Sequence, residues 1–401
     1  PVRFVYDRRM PDEMLRYFKR RFGIDRYDIC VGGSRYHNMK DLMRFPDVGR
    51  GDLRFEPWPP APVPDFDTAD STVDRVRRGD VLFHYPYQSF SNYLRLLREA
   101  ALSRDVRTIR TTVYRLARNS KVVKALICAA RHGKQVTAVV ELMARFDEAS
   151  NIDWAKKMQE AGIRVIFGVE GLKVHAKLTH IGSSRGDIAC VSTGNFHEGN
   201  ARTYTDVALL TADRRLTREV ERVFEFIRQP ARPFAFDHLV VSPRDMRRKL
   251  NALIADEARR ARQGEEAYIL AKVNHITDAK LIRRLYAAAA VGVRLRLLVR
   301  GNCSIVASAH DRGRIEIRGI IDRYLEHSRI LIFGHGGDER IYIGSADWMT
   351  RNLDNRVEAY APVYDEAVRR ELRRIVDEGL ADNVAARVVD GTGDNLLYDD
   401  G

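Results

Sequence analysis

The segment GLKVHAKLTHIGSSRGDIACVSTGNF holds a histidine, a lysine and an asparagine at a spacing that suits chemistry on a charged group. His175 is followed two positions later by Lys177, and Asn195 lies 20 residues after the histidine (195 − 175). Residues i and i+2 of a strand point to the same face, so we expect His175 and Lys177 to point together. An imidazole can attack phosphorus or move a proton, and a nearby ammonium offsets negative charge on the transferred group. One such motif alone is a weak indication of a site.

A second segment, YLEHSRILIFGHGGDERIYIGSADWM, repeats this arrangement later in the chain. His327 is followed two positions later by Arg329, and Asp347 lies 20 residues after the histidine (347 − 327). Small residues precede both Asn195 and Asp347, and we expect a returning strand to bring each of them beside its histidine. Two copies at identical spacing indicate a paired site, in which one histidine attacks phosphorus and the other handles the proton of the leaving oxygen.

Strand-like and helix-like runs alternate around both segments and predict the elements that hold the site. In the first half the order is TIRTTVYRL, SKVVKALICAARHG, QVTAVVEL, NIDWAKKMQEAG and RVIFGV. In the second half it is EAYILAKVN, TDAKLIRRLYAAAAVG, VRLRLLVRG and RIEIRGI. Such alternation favours βαβ units and a mostly parallel sheet. Gly133 and Gly292 each end a helix before a strand, and this agreement indicates an internal duplication.

Two proline-containing breaks divide the chain. The stretch PWPPAPVPDF cannot continue a helix or a central strand, and RQPARPFAF separates the two rhythmic halves. We therefore predict three parts. Residues 1–65 are the end of an upstream domain with its linker, 66–232 are a first catalytic domain, and 233–401 are a second one. The predicted fold class is α/β, with two similar domains related by duplication.

The composition favours an anionic partner. The 401 residues include 68 Lys plus Arg against 55 Asp plus Glu, which gives a formal net charge of +13. This excess attracts nucleotides, nucleic acids, polyphosphate or a membrane surface, and it does not choose among them. No run approaches the roughly 18 apolar residues of a membrane span. The cysteines are dispersed and form no CxxC pair, which argues against a disulfide framework or a zinc site and favours a reducing cytosol.

The paired motif resembles the HKD signature of the phospholipase D superfamily, and the surrounding text narrows the resemblance. The segments that resemble polyphosphate kinase of the histidine-phosphorylated type are YRLARNSKVVKALICAARHGKQVT, VELMARFDEASNIDWAKKMQEAG, GLKVHAKL, TGNFHEGNARTYTD, LVRGNCS, DRYLEH and SADWMTRNLDNRVE. The resemblance implies two phospholipase D-like catalytic domains, preceded by a remnant of a head domain. It also implies reversible transfer of the terminal phosphate of ATP to polyphosphate through a phosphohistidine.

The resemblance assigns roles position by position. His175 matches the phosphorylated nucleophile, and His327 matches a second active-site histidine close to the phosphates of the nucleotide. Lys177 and Asn195 complete the first motif as catalytic residues. The positions that match nucleotide-binding residues are His327, Tyr204 of RTYTD, Arg300 of VRGNCS and Arg356 of LDNRVE.

Magnesium is the second cofactor that the resemblance implies, beside ATP. Arg115 of VYRLAR and Arg145 of MARFDE match positions that the family associates with the metal. Arginine has only donors and cannot ligate a cation, so we expect these two side chains to clamp phosphate oxygens that also hold Mg²⁺. Asp147 and Glu148 are candidate ligands, although the cap and first turn of the NIDWAKKM helix explain them better.

The second motif departs from the usual pattern of the superfamily, because Arg329 replaces lysine and Asp347 replaces asparagine. We expect Asp347 to lie beside the imidazole of His327 and to raise its pKa. A protonated histidine is a poor nucleophile but a good donor to the oxygen that bridges the last two phosphates of ATP. The sequence therefore predicts that His175 attacks while His327 stabilises the departing ADP.

A phospholipase D-like phosphodiesterase, either a nuclease or a lipase, is the alternative function for the same histidines. It would pass the phosphohistidine to water and need neither nucleotide nor metal. The predicted cluster of Arg115, Arg145, Arg300 and Arg356 favours a polyanion with adjacent phosphates, because a guanidinium fork suits phosphate oxygens. The expected partners are ATP, ADP and inorganic polyphosphate, without nucleic acid. We further expect a homo-oligomer in the cytoplasm, with peripheral attachment to the inner membrane as a variant.

Overall fold

The computed structural model describes residues 3–25, 28–34, 42, 45–114, 117, 119–141, 148–307, 313–390 and 394–399. The chain divides into two compact units, Pro1–Pro57 and Trp58–Gly401. In the first unit, the strands β1 (Arg3–Asp7) and β2 (Ile29–Gly33) pair in parallel, and the helix α1 (Asp12–Phe22) connects them in sequence. This small βαβ arrangement occupies the segment that we predict to end an upstream domain.

The second unit begins with the elements of the first half-site. In chain order they are α2 (Thr72–Arg78), β3 (Val81–Tyr85), α3 (Ser91–Leu102), β4 (Val106–Val113), α4 (Lys121–Arg131), β5 (Gln135–Val140), α5 (Glu148–Glu160), β6 (Arg164–Phe167), β7 (Lys173–Val174), β8 (Lys177–Ser183), β9 (Ile188–Ser192), β10 (Tyr204–Thr211) and α6 (Arg214–Arg228).

The elements of the second half-site follow in nearly the same order. They are β11 (Val240–Ser242), α7 (Met246–Arg262), β12 (Tyr268–Val273), α8 (Ala279–Ala290), β13 (Arg294–Val299), β14 (Ile315–Ile320), β15 (Leu325–Glu326), β16 (Ile330–Phe333), β17 (Arg340–Gly344), α9 (Thr350–Asp354), β18 (Arg356–Pro362), α10 (Glu366–Leu380) and β19 (Ala386–Val388).

These strands build two sheets of the same plan. The first runs β15-β10-β9-β8-β4-β5-β6, with β3 also paired to β10. The second runs β11-β18-β17-β16-β12-β13-β14-β19, with β7 also paired to β18. In each sheet a parallel βαβ core continues into antiparallel strands, so the predicted α/β fold with an internal duplication is confirmed. The sheets are mixed rather than mostly parallel, because the chain after each histidine returns through the hairpins β8–β9 and β16–β17.

Matching caps begin and end the equivalent helices of the two halves. The side chain of Ser120 accepts a hydrogen bond from the N–H of Val123 at the start of α4, and Asp278 accepts one from Leu281 at the start of α8. Gly133 and Gly292 follow these helices with φ angles of +77° and +119°, as the sequence predicts.

Apolar side chains form three cores in the second unit. One core packs α3 and α4 on the first sheet, another packs α7 and α8 on the second sheet, and a third joins both sheets to α6 and α10. The two halves therefore share a buried core between them. Within the described ranges, no helix combines the length and the apolar character that crossing a membrane requires.

Two short strands cross between the halves just before the histidines. Strand β7 precedes His175 but pairs with β18 of the second half, and β15 precedes His327 but pairs with β10 of the first half. The pairs are parallel in both cases. Because each histidine directly follows its crossing strand, the chain delivers each imidazole to residues of the opposite half.

Candidate active site

His175 lies in the short gap between β7 and β8. The backbone N–H groups of His175 and Ala176 both donate to the carbonyl oxygen of Val357, at 2.9 Å each. Its Nδ1 lies 2.9 Å from Oε2 of Glu358, and 13% of its side chain is exposed. When Nδ1–H is donated to this carboxylate, the lone pair of Nε2 stays available for attack.

Polar neighbours fix the buried carboxylate of Glu358. The Nδ2 of Asn352 donates to Oε1 at 2.7 Å, and the hydroxyl of Ser345 donates to Oε2. Burial raises the pKa of Glu358 to about 7, while the cations Lys177 and Arg356 oppose this shift. Glu358 therefore orients His175 and can balance positive charge on its ring.

His327, which follows β15, has an environment equivalent to that of His175. Its backbone N–H donates to the carbonyl oxygen of Thr205 at 3.2 Å. Its Nδ1 lies 2.9 Å from both carboxylate oxygens of Asp206. The hydroxyl of Thr193 donates to Oδ1 of Asp206 at 2.6 Å and holds the acid in place. The second imidazole therefore also has its Nδ1 engaged by a carboxylate.

Each histidine is oriented by an acid of the other half. Asp206 lies 31 residues after His175, and Glu358 lies 31 residues after His327 (206 − 175 and 358 − 327). Asp206 nevertheless contacts His327, and Glu358 contacts His175. Neither acid is among the residues predicted from the sequence. The repeat of a carboxylate at one distance from both histidines is a signal that could identify them.

Close packing at Gly194 lets Asp206 reach its position. A Cβ atom built on Gly194 would lie 2.0 Å from Oδ2 of Asp206, which no side chain can occupy without moving the acid. The equivalent residue 152 positions later (346 − 194) is the buried Ala346. The second half therefore accommodates a methyl group at this position, and the first half does not.

Two buried cations contact the histidines of their own motifs. The Nζ of Lys177 donates to the carbonyl oxygen of His175 at 2.5 Å. The Nη1 of Arg329 donates to the carbonyl oxygen of His327 at 2.7 Å and lies 3.1 Å from its Nε2. Both cations lower the pKa of both imidazoles. The two motifs therefore form one electrostatic site.

Asp347 pairs with Arg329, so the prediction that it raises the pKa of His327 is wrong. Its Oδ1 and Oδ2 lie 3.2 Å from Nε and Nη2 of Arg329, respectively. Its Oδ1 also accepts the backbone N–H of Asn274 at 2.8 Å. The planar guanidinium matches both carboxylate oxygens at once, which a single imidazole N–H cannot do.

Both imidazoles are neutral in this environment near pH 7. Burial lowers the pKa of His175 well below its usual value, and Lys177, Arg329 and Arg356 lower it further. Burial lowers the pKa of His327 to about 4, against the opposing effect of Asp206. The predicted protonated form of His327 is therefore not its resting form. Burial also lowers the pKa of Lys177, to about 7.

Asn195 does not orient His175, because Nδ1 of the histidine is hydrogen-bonded to Glu358. Its Oδ1 is buried and has no hydrogen-bond partner among the residues that the structure describes. A buried acceptor without a donor costs free energy, which a donor on a bound molecule can recover. The catalytic role of Asn195 stays a prediction.

The predicted nucleotide-binding residues surround the two histidines. The ring centroids of Tyr204 and His327 are 5.1 Å apart. The Nη1 of Arg356 lies 4.0 Å from Oε1 of Glu358. The Nε of Arg300 donates to Oδ1 of Asn274 at 3.1 Å, and Nδ2 of the same asparagine donates to the carbonyl oxygen of His327 at 3.4 Å. Arg115 and Arg145 lie outside the described residues.

The described carboxylates near the histidines do not fit a resident Mg²⁺. Asp206 and Glu358 are engaged with the imidazoles, and Oε2 of Glu141 accepts a backbone N–H at 3.1 Å. Mg²⁺ needs a set of oxygen ligands and bound water that these engaged groups do not supply. These residues therefore do not hold a metal that could take part in the reaction.

A group of three metal-ligating side chains does exist elsewhere among the described residues. It consists of His180, Asp187 and Glu221. The Nη1 of Arg110 donates to Glu221 at 2.7 Å and lies 3.2 Å from Nδ1 of His180. This guanidinium already supplies, to Glu221, the positive charge that a metal would bring.

Two family models match nearly the whole second unit. Polyphosphate kinase C-terminal domain 1 matches residues 71–233, and polyphosphate kinase C-terminal domain 2 matches residues 239–400. Polyphosphate kinase of Vibrio vulnificus (strain YJ016) is 46% identical over 395 residues, which are 97% of this chain and 56% of that protein. Polyphosphate kinase of Escherichia coli (strain K12) is 46% identical over 397 residues, 97% of this chain and 58% of that protein. The chain thus spans little more than half the length of these relatives.

Solved structures agree with the sequence relatives. Phosphatidylserine synthase of Haemophilus influenzae superposes with a TM-score of 0.54 at 9% identity, covering 77% of this chain and 87% of that one. At this low identity the likeness shows the fold alone. Polyphosphate kinase of Porphyromonas gingivalis superposes with a TM-score of 0.85 at 39% identity, covering 98% of this chain and 61% of that one. The chain belongs to the polyphosphate kinase family.

Proposed function

We propose that this chain is the catalytic part of an enzyme that reversibly transfers the terminal phosphate of ATP to polyphosphate, with His175 as the phosphate carrier. The observation that carries the proposal is the contact between Nδ1 of His175 and the buried Glu358. It leaves Nε2 of a neutral imidazole as the nucleophile in a site with Lys177 and Arg329. Membership of the polyphosphate kinase family supports the choice of ATP and polyphosphate as substrates.

In the first step, Nε2 of His175 attacks the terminal phosphorus of ATP. A P–N bond forms while the bond from this phosphorus to the bridging oxygen breaks, and the electron pair leaves with ADP. In the second step, a terminal oxygen of polyphosphate attacks the same phosphorus, a P–O bond forms and the P–N bond breaks. The Nδ1 proton stays between His175 and Glu358, so the carboxylate offsets positive charge on the phosphorylated ring.

His327 is proposed to act on the leaving nucleotide rather than to carry phosphate. At rest its Nδ1–H is donated to Asp206, and its unprotonated Nε2 faces Arg329. The resting ring therefore has no N–H to donate to the substrate. Negative phosphates that enter the site raise the pKa of the ring, because they favour its charged form. With the substrate bound, Nε2 of His327 takes up a proton from solvent and donates a hydrogen bond to the bridging oxygen, and it returns this proton to solvent when ADP has left.

Two further cations are proposed to contribute to the binding of the nucleotide. Arg300 and Arg356, together with Tyr204, are proposed to bind the nucleotide, and a hydrogen bond to a charged group contributes about 1.5–3 kcal/mol. Mg²⁺ is proposed to arrive with the phosphates of ATP, because the described carboxylates do not form a cage for it. Arg115 and Arg145 are the positions at which the resemblance puts the clamp on those phosphates.

The proposal is tested by following the phosphate of γ-labelled ATP with the whole enzyme and Mg²⁺. We expect label first in an acid-labile phosphoprotein and then in long polyphosphate, and neither product with His175→Ala. Release of label only as free phosphate, at the same rate with and without added polyphosphate, would contradict the proposal. That result would favour a phosphodiesterase that passes its phosphohistidine to water.

Three further assignments accompany this proposal. We propose domain boundaries of 66–232 and 233–401 for the catalytic domains, with 1–65 belonging to an upstream head domain. We also propose a homo-oligomer and a location in the cytoplasm or at the inner face of the membrane. Size measurement of the whole enzyme and fractionation of cells check the last two.

A further inference from the structure

The two crossing joints between the halves are built from different chemistry. At the first joint, Val174 of β7 pairs with Val357 of β18, and both side chains are buried and apolar. At the second joint, Glu326 of β15 pairs with Thr205 of β10. The two joints therefore differ, because two apolar residues meet at the first and two polar residues meet at the second.

A lysine completes the second joint. The Nζ of Lys272, on β12, donates to Oε2 of Glu326, and the hydroxyl of Thr205 donates to the same oxygen at 2.9 Å. We call Lys272, Glu326 and Thr205 the polar clamp. The residue of the first half that corresponds to Lys272 is Thr112, because β4 pairs Thr112 with Val139 as β12 pairs Lys272 with Leu298. Because threonine is uncharged, the position in the first half that is equivalent to Lys272 makes no ion pair.

A cavity explains why a polar joint is tolerated at this place. All three residues of the clamp line a cavity of about 530 Å³, together with Tyr324 and His84. Glu326 is 19% exposed, and Val174 at the first joint is 3% exposed. A charged pair that borders open space loses less hydration than a fully buried pair, so its attraction is opposed by a smaller desolvation cost.

Residues of the clamp directly precede both members of the His327–Asp206 pair, and one of them contacts the backbone of His327. The hydroxyl of Thr205 accepts the N–H of His327 at 3.2 Å while it donates to Glu326. Thr205 directly precedes Asp206, and Glu326 directly precedes His327. Because β15 has only two residues, few backbone hydrogen bonds hold this joint. The side chains of the clamp are thus well placed to set its register.

We propose that Lys272, Glu326 and Thr205 are positioning residues that hold β15 against β10, so that Nδ1 of His327 meets the carboxylate of Asp206. The clamp does not touch the reacting atoms. It acts through the backbone, and its effect on catalysis rests on the function proposed above for His327. Its effect on the orientation of the imidazole does not rest on that function.

The hydroxyl of Thr205 gives a test with a matched pair of variants. Thr205→Val removes the hydroxyl at nearly constant shape, and Thr205→Ser keeps it. We expect Thr205→Val to lower kcat for phosphate transfer from ATP at least about tenfold with KM changed much less, since small misplacements of a catalytic group are costly. Thr205→Ser keeps kcat within about twofold of the wild type by the same reasoning.

A double variant transfers the apolar joint to the second half. Glu326→Val with Lys272→Thr places the residues of the first joint at the second and leaves no unpaired charge. We expect it to remain folded and to lose kcat as Thr205→Val does. Arg296→Gln is the control, because it breaks an ion pair of 2.7 Å with Glu316 on the neighbouring strands of the same sheet, and it keeps full activity.

Nuclear magnetic resonance of ¹⁵N-labelled histidine separates this proposal from the function. In the wild type we expect His327 as the Nδ1–H tautomer bound to a carboxylate, and in Thr205→Val a shift towards mixed tautomers. An unchanged His327 spectrum with unchanged kcat in both variants would overturn the clamp. A wild-type enzyme that forms no phosphoprotein would instead overturn the proposed function, while the spectra still decide whether the clamp orients His327.

Discussion

The two half-sites share one backbone plan, but their ionisable groups behave differently. Around His175, both Lys177 and Glu358 have pKa values near 7, because burial moves each towards its neutral form. Around His327, burial acts to raise the pKa of Asp206, but the imidazole and Thr193 outweigh it and the pKa lies below its usual value. Arg329 keeps its charge as well. The acid and the cation beside His175 can therefore change their charge during a reaction, while Asp206 and Arg329 beside His327 stay charged.

This difference fits a division of labour. A group that becomes covalently modified benefits from neighbours that adjust their protonation as its charge changes. A group that binds and stabilises a leaving nucleotide benefits from charges that are preorganised and permanent. We therefore interpret the first half-site as the carrier of phosphate and the second as the holder of the nucleotide.

Among substitutions that test this difference between the half-sites, Glu358→Gln is expected to lower the rate of phosphoenzyme formation most. The neutral amide of glutamine removes the negative charge that faces the Nδ1–H of His175. The ring therefore loses the charge that compensates its own, and its orientation is held less firmly. Loss of the acid that orients a catalytic histidine costs about 10⁴-fold in a serine protease, so we expect phosphoenzyme formation to fall by about 10³–10⁴-fold. Rapid-quench measurement of labelled enzyme checks this. A rate within about tenfold of the wild type would remove Glu358 from the mechanism.

Asp206→Asn is expected to have a smaller effect, because His327 does not carry the phosphate. We expect phosphoenzyme formation from ATP to slow by about 10²–10³-fold, which is the lower part of the usual range for losing general acid catalysis. The return of phosphate from labelled enzyme to polyphosphate should be less affected. Separate single-turnover measurements of the two steps check this order. An equal loss in both steps would argue against separate roles for the halves.

Gly194→Ala tests the same acid by displacement. The added Cβ would lie 2.0 Å from Oδ2 of Asp206, so the acid must move away from His327. Overpacking of this kind costs about 1–3 kcal/mol in stability, and we expect kcat to fall about tenfold. Ala346→Gly at the equivalent position is the control, and it should affect catalysis little. Thermal unfolding and kcat, measured side by side, distinguish the two substitutions.

Lys177→Arg makes the first half-site resemble the second and is expected to change the pH dependence. Burial lowers the pKa of Lys177 to about 7, so its charge is lost as the pH rises through that value and the rate falls. Arginine stays charged, and the alkaline limb of kcat/KM should move upwards. The acid limb, where Glu358 gains a proton as the pH falls, should remain. An unchanged alkaline limb would show that another group governs it.

The sequence predicted the framework of the site better than its contacts. Strand and helix periodicity, with glycines after equivalent helices, reveals the βαβ units and their duplication. The repeated spacing of His175 and His327 reveals the pair of histidines. The acids Asp206 and Glu358 contact histidines in the other half, and no local pattern shows which half a side chain will face. The role expected of Asp347 was wrong because both of its carboxylate oxygens pair with the guanidinium of Arg329 and not with His327.

We propose that His175, whose neighbours Lys177 and Glu358 can change their protonation, carries the phosphate, and that His327, beside the charged Asp206 and Arg329, does not. Mass spectrometry of peptides from the whole enzyme, quenched at neutral pH after brief incubation with ATP and Mg²⁺, tests it most directly. We predict phosphate on His175 in the wild type, the same site at a much lower rate in His327→Ala, and no phosphohistidine in His175→Ala. Phosphate on His327, or on any other histidine in the wild type, would contradict the account.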